Sequence, residues 1–261
     1  MRKFILNFLL VITLILLSSC AHEERKEETL SAEQYYNRGM DHLQGGKYKK
    51  AVTDFEKIEQ LYPYSKWATK GKIMAAYTDY KAGEYDDAVN FLDSYIKLHP
   101  GNSDVAYAYY LRALCYYERI ADVRRDQEIT QEALAGLKEV TRRFPDTEYG
   151  RDARIKMDLV IDHLGGKEME IGRYYMQHKK YVAAINRFRT VIDRFDSTSH
   201  TPEALHRLVE CYLALGIKDE AQKYAAVLGY NYPGSKWYKY SYALMEKEHL
   251  AIPEKGPAKP S

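Results

Sequence analysis

The chain has 261 residues, of which 46% are hydrophobic and 29% are charged, and its formal net charge is +2. This length and composition allow one large domain or an extended array of repeats around a buried core. The nearly balanced charge gives no support for nucleic-acid binding, which normally requires a strongly basic surface. Tyrosine is unusually frequent, with 25 Tyr against 7 Phe and 2 Trp, and its apolar ring with a polar tip suits half-exposed contact surfaces.

Residues 1–19 are predicted to form an export signal. The basic pair Arg2-Lys3 precedes an apolar stretch at 4–17, and Leu-Ser-Ser then leads to Cys20. A basic start, a short apolar stretch and small residues before the cleavage point are typical of such signals. The apolar stretch of 14 residues is shorter than the roughly 20 that a membrane-spanning helix needs.

The Leu-Ser-Ser-Cys ending resembles the lipobox of bacterial lipoproteins. That resemblance implies that Cys20 carries the lipid and becomes the first residue of the mature chain, whereas the alternative is an ordinary secretory signal with a chance cysteine. Because Ala21 follows, and not the Asp that often retains lipoproteins in the inner membrane, we expect delivery to the outer membrane. Residues 20–31 are charged and predicted to be a flexible tether, and the proline-containing residues 251–261 are predicted to be a disordered tail.

A sequence repeat organises the rest of the chain. Its copies align on five alanines, at spacings of 37, 45, 51 and 37 residues: Ala51, Ala88, Ala133, Ala184 and Ala221. Twelve residues after the alanine, four copies have a proline and the fourth has Asp196: Pro63, Pro100, Pro145 and Pro233. An aromatic residue or histidine precedes that position in every copy: Tyr62, His99, Phe144, Phe195 and Tyr232. The pattern is typical of the tetratricopeptide (TPR) repeat, which has a nominal length of about 34 residues.

Each repeated position has a physical reason. The alanines, and the residues Gly39, Ala76, Ala113, Gly172 and Val209 upstream, allow two antiparallel helices to approach closely. Core positions follow four residues after the alanine, on the same helix face: Phe55, Leu92, Leu137 and Phe188. The prolines end each second helix, and Gly46, Gly83 and Gly216 are placed at turns that often need a positive φ.

The predicted fold class is therefore all-α, a TPR solenoid of about five helix-turn-helix repeats plus one extra helix. Repeats one to three occupy residues 32–148 and are predicted to hold a substrate groove. Residues 149–250 contain the extra helix, placed at 149–164, followed by repeats four and five.

No catalytic constellation is present in the sequence, and we expect neither enzymatic activity nor a cofactor. The segment Gly165-Gly166-Lys167 lacks the earlier Gly and the following Ser or Thr of a phosphate-binding loop. The eight His are scattered without metal-ligand spacing, so no metal site is predicted. Cys115 and Cys211 lie in helical stretches and are expected to be buried free thiols.

The first helix of each TPR pair is expected to line a concave groove. Its inward positions in repeats one to three hold six candidate peptide-binding residues: Tyr36, Tyr77, Tyr80, Tyr107, Tyr110 and Tyr117. Aromatic side chains on successive helices suit an extended or helical peptide. The alternative is that many of these tyrosines only pack between repeats.

Together, the lipobox, the five tyrosine-rich repeats with aromatic-Pro ends, and the long third and fourth units resemble the BamD family of the β-barrel assembly machine. The resemblance implies a non-enzymatic, lipid-anchored scaffold on the periplasmic face of the outer membrane. It also implies three kinds of partner: the BamA POTRA domain, other Bam lipoproteins, and unfolded β-barrel clients with C-terminal signals. Asn186-Arg187 matches a pair through which the family contacts BamA, which makes Arg187 an interface candidate.

Two other functions stay open from the sequence. One is a TPR pilotin lipoprotein that escorts secretin or pilus subunits. The other is an envelope hydrolase with accessory TPRs, against which the missing catalytic cluster counts.

Overall fold

The computed structural model describes residues 30–120 and 127–251, which form eleven α-helices and no strand. The helices are α1 (Ala32–Gln44), α2 (Tyr48–Leu61), α3 (Lys66–Ala82), α4 (Tyr85–Leu98), α5 (Val105–Tyr117), α6 (Glu128–Arg143), α7 (Glu148–Gln177), α8 (Tyr181–Arg194), α9 (Thr201–Ala214), α10 (Lys218–Asn231) and α11 (Lys236–Lys247). The predicted signal, Cys20, the tether before residue 30 and the tail after residue 251 lie outside the described residues. The all-α fold class is confirmed.

Five antiparallel helix pairs, from α1/α2 to α9/α10, form the predicted repeats. All five alanines of the repeat are completely buried, and the four predicted core residues after them are at most 1% exposed. A Cβ on Gly39 would lie 2.6 Å from the Cε1 atom of Phe55, so the two helices of the first repeat approach as closely as predicted. Burial of these repeated apolar side chains is the main source of the stability of each pair.

The helices end and begin where the prolines and their neighbours predict. The aromatic residue or histidine before each proline position is the residue that ends the second helix of every pair. Two residues after three of the prolines, a hydroxyl caps the next helix, at Ser65, Thr147 and Ser235. Such a side chain accepts a hydrogen bond from a backbone N–H that would otherwise lack a partner. The short segment between repeats thus ends one helix and starts the next.

The turn inside each pair has a positive φ where it was predicted, at Gly46 (69°), Gly83 (80°) and Gly216 (73°). In the fourth repeat the equivalent residue is Lys179, with a φ of 58°. A residue with a Cβ is strained in this region by roughly 1–2 kcal/mol. The turn geometry is therefore common to these four repeats, although only three of them have a glycine, which adopts a positive φ without strain.

The prediction of a separate helix at 149–164 was wrong, because α7 runs without interruption for 30 residues, from Glu148 to Gln177. Gly165 and Gly166 lie buried inside it. A Cβ on Gly165 would lie 3.4 Å from Phe195 and Thr198, an ordinary contact distance, so the segment after α8 packs directly against this part of α7. The extra helix is α11, which packs on α9 and α10 and covers the last repeat.

The first helices line one side of the solenoid. Those of repeats one to four contact one another in succession, whereas second helices of neighbouring repeats make no comparable contacts within the described ranges. Closer approach on one side means that the array curves toward the first helices. None of the helices at 30–120 and 127–251 is long and apolar enough to span a membrane.

Candidate peptide-binding site

Five tyrosines of three successive first helices lie together, and we call them the tyrosine cluster: Tyr77 and Tyr80 of α3, Tyr107 and Tyr110 of α5, and Tyr149 of α7. The ring centroids of Tyr77 and Tyr80 are 6.5 Å apart. The ring of Tyr149 lies 5.5 Å from that of Tyr107 and 5.4 Å from that of Tyr110. Tyr107 lies close enough to Tyr77, Tyr80 and Tyr149 to interact with them electrostatically, and all five side chains are half-buried.

Acidic side chains accept hydrogen bonds from two hydroxyls of the tyrosine cluster. The Tyr80 hydroxyl donates to Oε1 of Glu118 over 3.2 Å. The Tyr110 hydroxyl donates to Oδ2 of Asp152, which also accepts from Nζ of Lys156 at 2.7 Å. Burial alone would raise the pKa of Asp152, but the hydrogen bonds from Lys156 and Tyr110 outweigh it and lower the pKa.

Burial and neighbouring side chains raise the pKa values of tyrosines in the cluster. Burial is the main cause that raises the pKa of Tyr107, and the neighbouring Tyr77, Tyr149 and Tyr80 raise it further. Burial, followed by Glu118, raises the pKa of Tyr80 to about 12. These hydroxyls are therefore protonated at neutral pH, as tyrosine hydroxyls ordinarily are. They can donate and accept hydrogen bonds and offer ring faces to a peptide.

The two remaining tyrosine candidates lie outside the cluster. The ring of Tyr117 is covered by the Lys156 ammonium group at 5.7 Å, close to Asp152. Tyr36 packs against Trp67 at 4.8 Å and Phe55 at 5.7 Å. No ring contact joins Tyr36 to the tyrosine cluster within the part of the chain that the structure describes. Four of the six predicted residues therefore belong to the tyrosine cluster. Tyr117 lies beside it, and Tyr36 belongs to a separate aromatic group.

Sequence reasoning missed Tyr149, although a signal for it is present. Tyr149 stands two residues after the capping Thr147, and Trp67 and Trp237 stand two residues after the capping Ser65 and Ser235. An aromatic residue thus recurs in the first turn of α3, α7 and α11, the three helices that begin with a capping hydroxyl two residues after a proline. Aligning the helix starts, in addition to the helix ends, identifies this position.

Arg187 lies on α8, on the second-helix side of the fourth repeat. Its side chain is 42% exposed, and its Nη1 atom pairs with Oε2 of Glu168 at 3.1 Å. Glu168 also lines a groove between α6, α7 and the end of α8, together with Lys138, Lys167 and Arg194. Arg187 is thus accessible, yet it already has an internal carboxylate partner.

Neither predicted free thiol lies at a surface. Cys115 and Cys211 are unpaired and completely buried, as expected. Burial raises the pKa of both thiols to about 12, so they are protonated and unreactive. Within residues 30–120 and 127–251, no group of three or more His, Cys, Asp and Glu side chains is arranged to hold a metal ion.

Comparison with known proteins shows close relatives over most of the chain. The profile of a family described as an outer membrane lipoprotein, YfiO, matches residues 28–228. The outer membrane protein assembly factor BamD of Caulobacter vibrioides is 47% identical over 229 residues, which are 88% of this chain and 73% of the relative. BamD of Rickettsia prowazekii is 46% identical over 242 residues, covering 93% and 96% of the two chains.

Solved structures with a similar arrangement are more distant. A thermophilic TPR protein of Thermus thermophilus aligns over 83% of this chain and 100% of its own, with 20% identity and a TM-score of 0.38.

Proposed function

The chain belongs to the BamD family of outer membrane protein assembly factors, and from this premise we propose that it is a non-enzymatic scaffold of the β-barrel assembly machine. In this role it binds the C-terminal signals of unfolded β-barrel clients through its N-terminal repeats and BamA through its C-terminal repeats. The relatives that match over most of the chain are outer membrane protein assembly factors, which favours this function over that of a pilotin.

The tyrosine cluster carries the proposal for the client site. Tyr is inexpensive to immobilise, since it has two χ angles, and it offers a large contact area without requiring one partner sequence. Barrel clients share only a loose aromatic signature, so a receptor with several ring faces and several hydroxyls suits them. Lys156, beside Tyr117 and Asp152, is a cation within reach of a peptide carboxylate on the same surface.

Crosslinking to a peptide with the sequence of a barrel C-terminus tests this site. We expect the double variant Tyr77→Ala/Tyr110→Ala to lose most of the crosslinking, whereas Tyr230→Ala should keep it, since Tyr230 is 74% exposed on α10. The milder Tyr110→Phe removes only the hydrogen bond to Asp152 and should reduce capture partially. Full-strength capture by a folded double variant would mean that the cluster only packs the repeats.

BamA binding is proposed for the C-terminal repeats around Arg187. Arg can present two parallel N–H donors to a carboxylate. A carboxylate of the BamA POTRA domain would therefore have to share the guanidinium with Glu168 or displace it. The internal pair with Glu168 would therefore compete with BamA for the guanidinium, and other Bam lipoproteins are expected on the remaining surfaces.

The lipid anchor completes the proposed arrangement. Acylation of Cys20 would hold the scaffold on the periplasmic face of the outer membrane, next to the site where barrels insert. Each buried CH₂ of an acyl chain contributes about 0.8 kcal/mol, so several chains anchor the protein durably. Assembly would then be driven by differential binding and by the stability of the folded barrel.

A further inference from the structure

Two charged side chains are buried on one face of α3, and only one of them has a partner in the part of the chain that the structure describes. Lys72 is 7% exposed and Asp79 is 8% exposed. Nζ of Lys72 donates to Oε1 of Glu59 at 2.6 Å and to the Ser94 hydroxyl at 3.0 Å. The Asp79 carboxylate makes no hydrogen bond and no ion pair with any residue at 30–120 or 127–251. A largely buried charge without a protein partner is costly, and the Asp79 oxygens, which keep some accessible surface, depend on solvent or on a ligand for a partner.

The Asp79 carboxylate faces an open groove on the outer side of the first two repeats. The groove has a volume of about 560 Å³ and runs between α2 and α4, with α3 as its floor. Glu56 of α2 and Asp87 of α4 line it beside Asp79, and the apolar side chains of Val52 and Phe91 line its walls. Glu59 and Lys72 line it as well, so the groove contains four carboxylates against one ammonium group.

The pKa of Asp79 reflects these surroundings. Burial, then Asp87, Glu56 and Glu84, raise it from 3.8 to about 7. Lysines 47, 49 and 50 line a second groove on the other side of Asp79, but none forms an ion pair with it. The carboxylate thus lies at the junction of two grooves that both contain lysines, but Lys72 of the first groove pairs with Glu59 and the lysines of the second form no ion pair with Asp79.

An acidic residue is exceptional at this position of the repeat. The equivalent residue in repeat one is His42, which pairs with Asp54 at 2.8 Å. In repeats three, four and five it is a tyrosine: Tyr116, Tyr175 and Tyr212. The carboxylate of Asp79 is consequently not a requirement of the helix pair.

We propose that this groove binds a protein segment through one arginine or lysine side chain, whose cation pairs with Asp79. Its methylene stem would lie along Val52 and Phe91, as long basic side chains do on apolar surfaces. The surface is separate from the tyrosine cluster and from Arg187, so it would hold a third partner. The chain's own residues 22–28 fit poorly, because they contain four Glu against one Arg and one Lys.

NMR titration of the full chain with the peptide Ac-Ala-Arg-Ala-NH₂ at pH 8 tests the chemistry of the occupant. The matched control is the same peptide with citrulline, which has the shape of arginine without the charge. We expect the arginine peptide to shift the resonances of α3 and of the groove walls, with at least about tenfold tighter binding than the citrulline peptide. Equal binding of the two peptides would overturn the proposal.

Two variants test whether the arginine peptide binds at Asp79. Asp79→Asn should weaken the arginine peptide about tenfold, whereas Asp158→Asn, which removes an exposed carboxylate of α7, should leave the affinity unchanged. Binding should also weaken as the pH falls below 7, because protonation removes the charge of Asp79. Three outcomes contradict the proposal: unchanged affinity of Asp79→Asn, a site filled by Mg²⁺ alone, or a dimer of the wild-type chain that Asp79→Asn dissociates.

Discussion

We expect Asp79→Asn to stabilise the isolated protein, whereas the same substitution of a buried carboxylate with a good partner would destabilise it. Asparagine has nearly the same shape and no charge, so the substitution removes the unpaired ion and leaves the packing of α3 intact. At a pH above about 7, where the Asp79 carboxylate is ionised, we expect the variant to be more stable than the wild type. Removal of a carboxylate that had a good partner would be destabilising.

The magnitude follows from the pKa of Asp79, which burial and its acidic neighbours raise from 3.8 to about 7. A tenfold change in an ionisation equilibrium corresponds to about 1.4 kcal/mol, so ionisation costs the native state at most about 4 kcal/mol. Water in the open groove solvates part of the charge. We therefore expect a gain of about 1–3 kcal/mol in the free energy of unfolding at pH 8.

The sign of the pH dependence is fixed by linkage. Between pH 3.8 and about 7 the native state binds the proton of Asp79 more strongly than the unfolded state. This contribution to stability is therefore complete below pH 3.8, declines as the pH rises, and is lost above about pH 7. Asparagine has no such dependence, so the two proteins should converge in stability near pH 4.

Urea unfolding of the wild type and Asp79→Asn at several pH values measures this difference, with Asp158→Asn as the exposed control. Because repeat arrays do not always unfold in one step, hydrogen exchange of the α3 amides should accompany it. A variant that is less stable than the wild type at pH 8, or a stability difference independent of pH, would refute the reasoning about an unpaired charge.

Four further predictions concern other parts of the chain. Cys20→Ala should release the protein into the soluble periplasmic fraction or leave the signal uncut, as fractionation and mass spectrometry will show. Arg187→Ala should reduce co-purification of BamA, with unchanged circular dichroism, at a cost of about 2–5 kcal/mol if a buried partner charge is left unpaired. Lys179→Gly should raise the free energy of unfolding by about 0.5–1 kcal/mol in urea, because it relieves the strain at a φ of 58°. Gly39→Ala should lower it by about 1–2 kcal/mol in the same assay, since its Cβ would lie 2.6 Å from the Phe55 ring.

The repeat could be predicted from the sequence because its signals are local. Ala51 and Phe55 have to be buried wherever two short helices pair, and Gly46 and Pro63 act on the backbone at their own positions. These residues fixed the fold class, the order of the pairs and the core. The resemblance to the family rested on the same regular features, and it was confirmed over most of the chain.

The prediction around residue 165 failed because two glycines resemble a helix break. Gly165 and Gly166 instead lie within α7, where the segment that follows α8 packs against Gly165 through Phe195 and Thr198. Intrinsic preference is weak, about 1 kcal/mol for one glycine, and tertiary packing overrides it. The sequence therefore misplaced the extra helix, which closes the end of the solenoid as α11.

The candidate sites depended still more on tertiary structure. Helical spacing places Tyr36 and Tyr77 on the same face of their helices, but only the superhelical arrangement decides that Tyr77 joins the cluster and Tyr36 does not. In the same way, sequence cannot tell that Arg187 has an internal partner while Asp79 has none at residues 30–120 and 127–251. The burial and the ion pairing of a side chain depend on residues of neighbouring helices, many positions away in the chain. The periodicity of apolar residues, in contrast, gives information only about the helix in which it occurs.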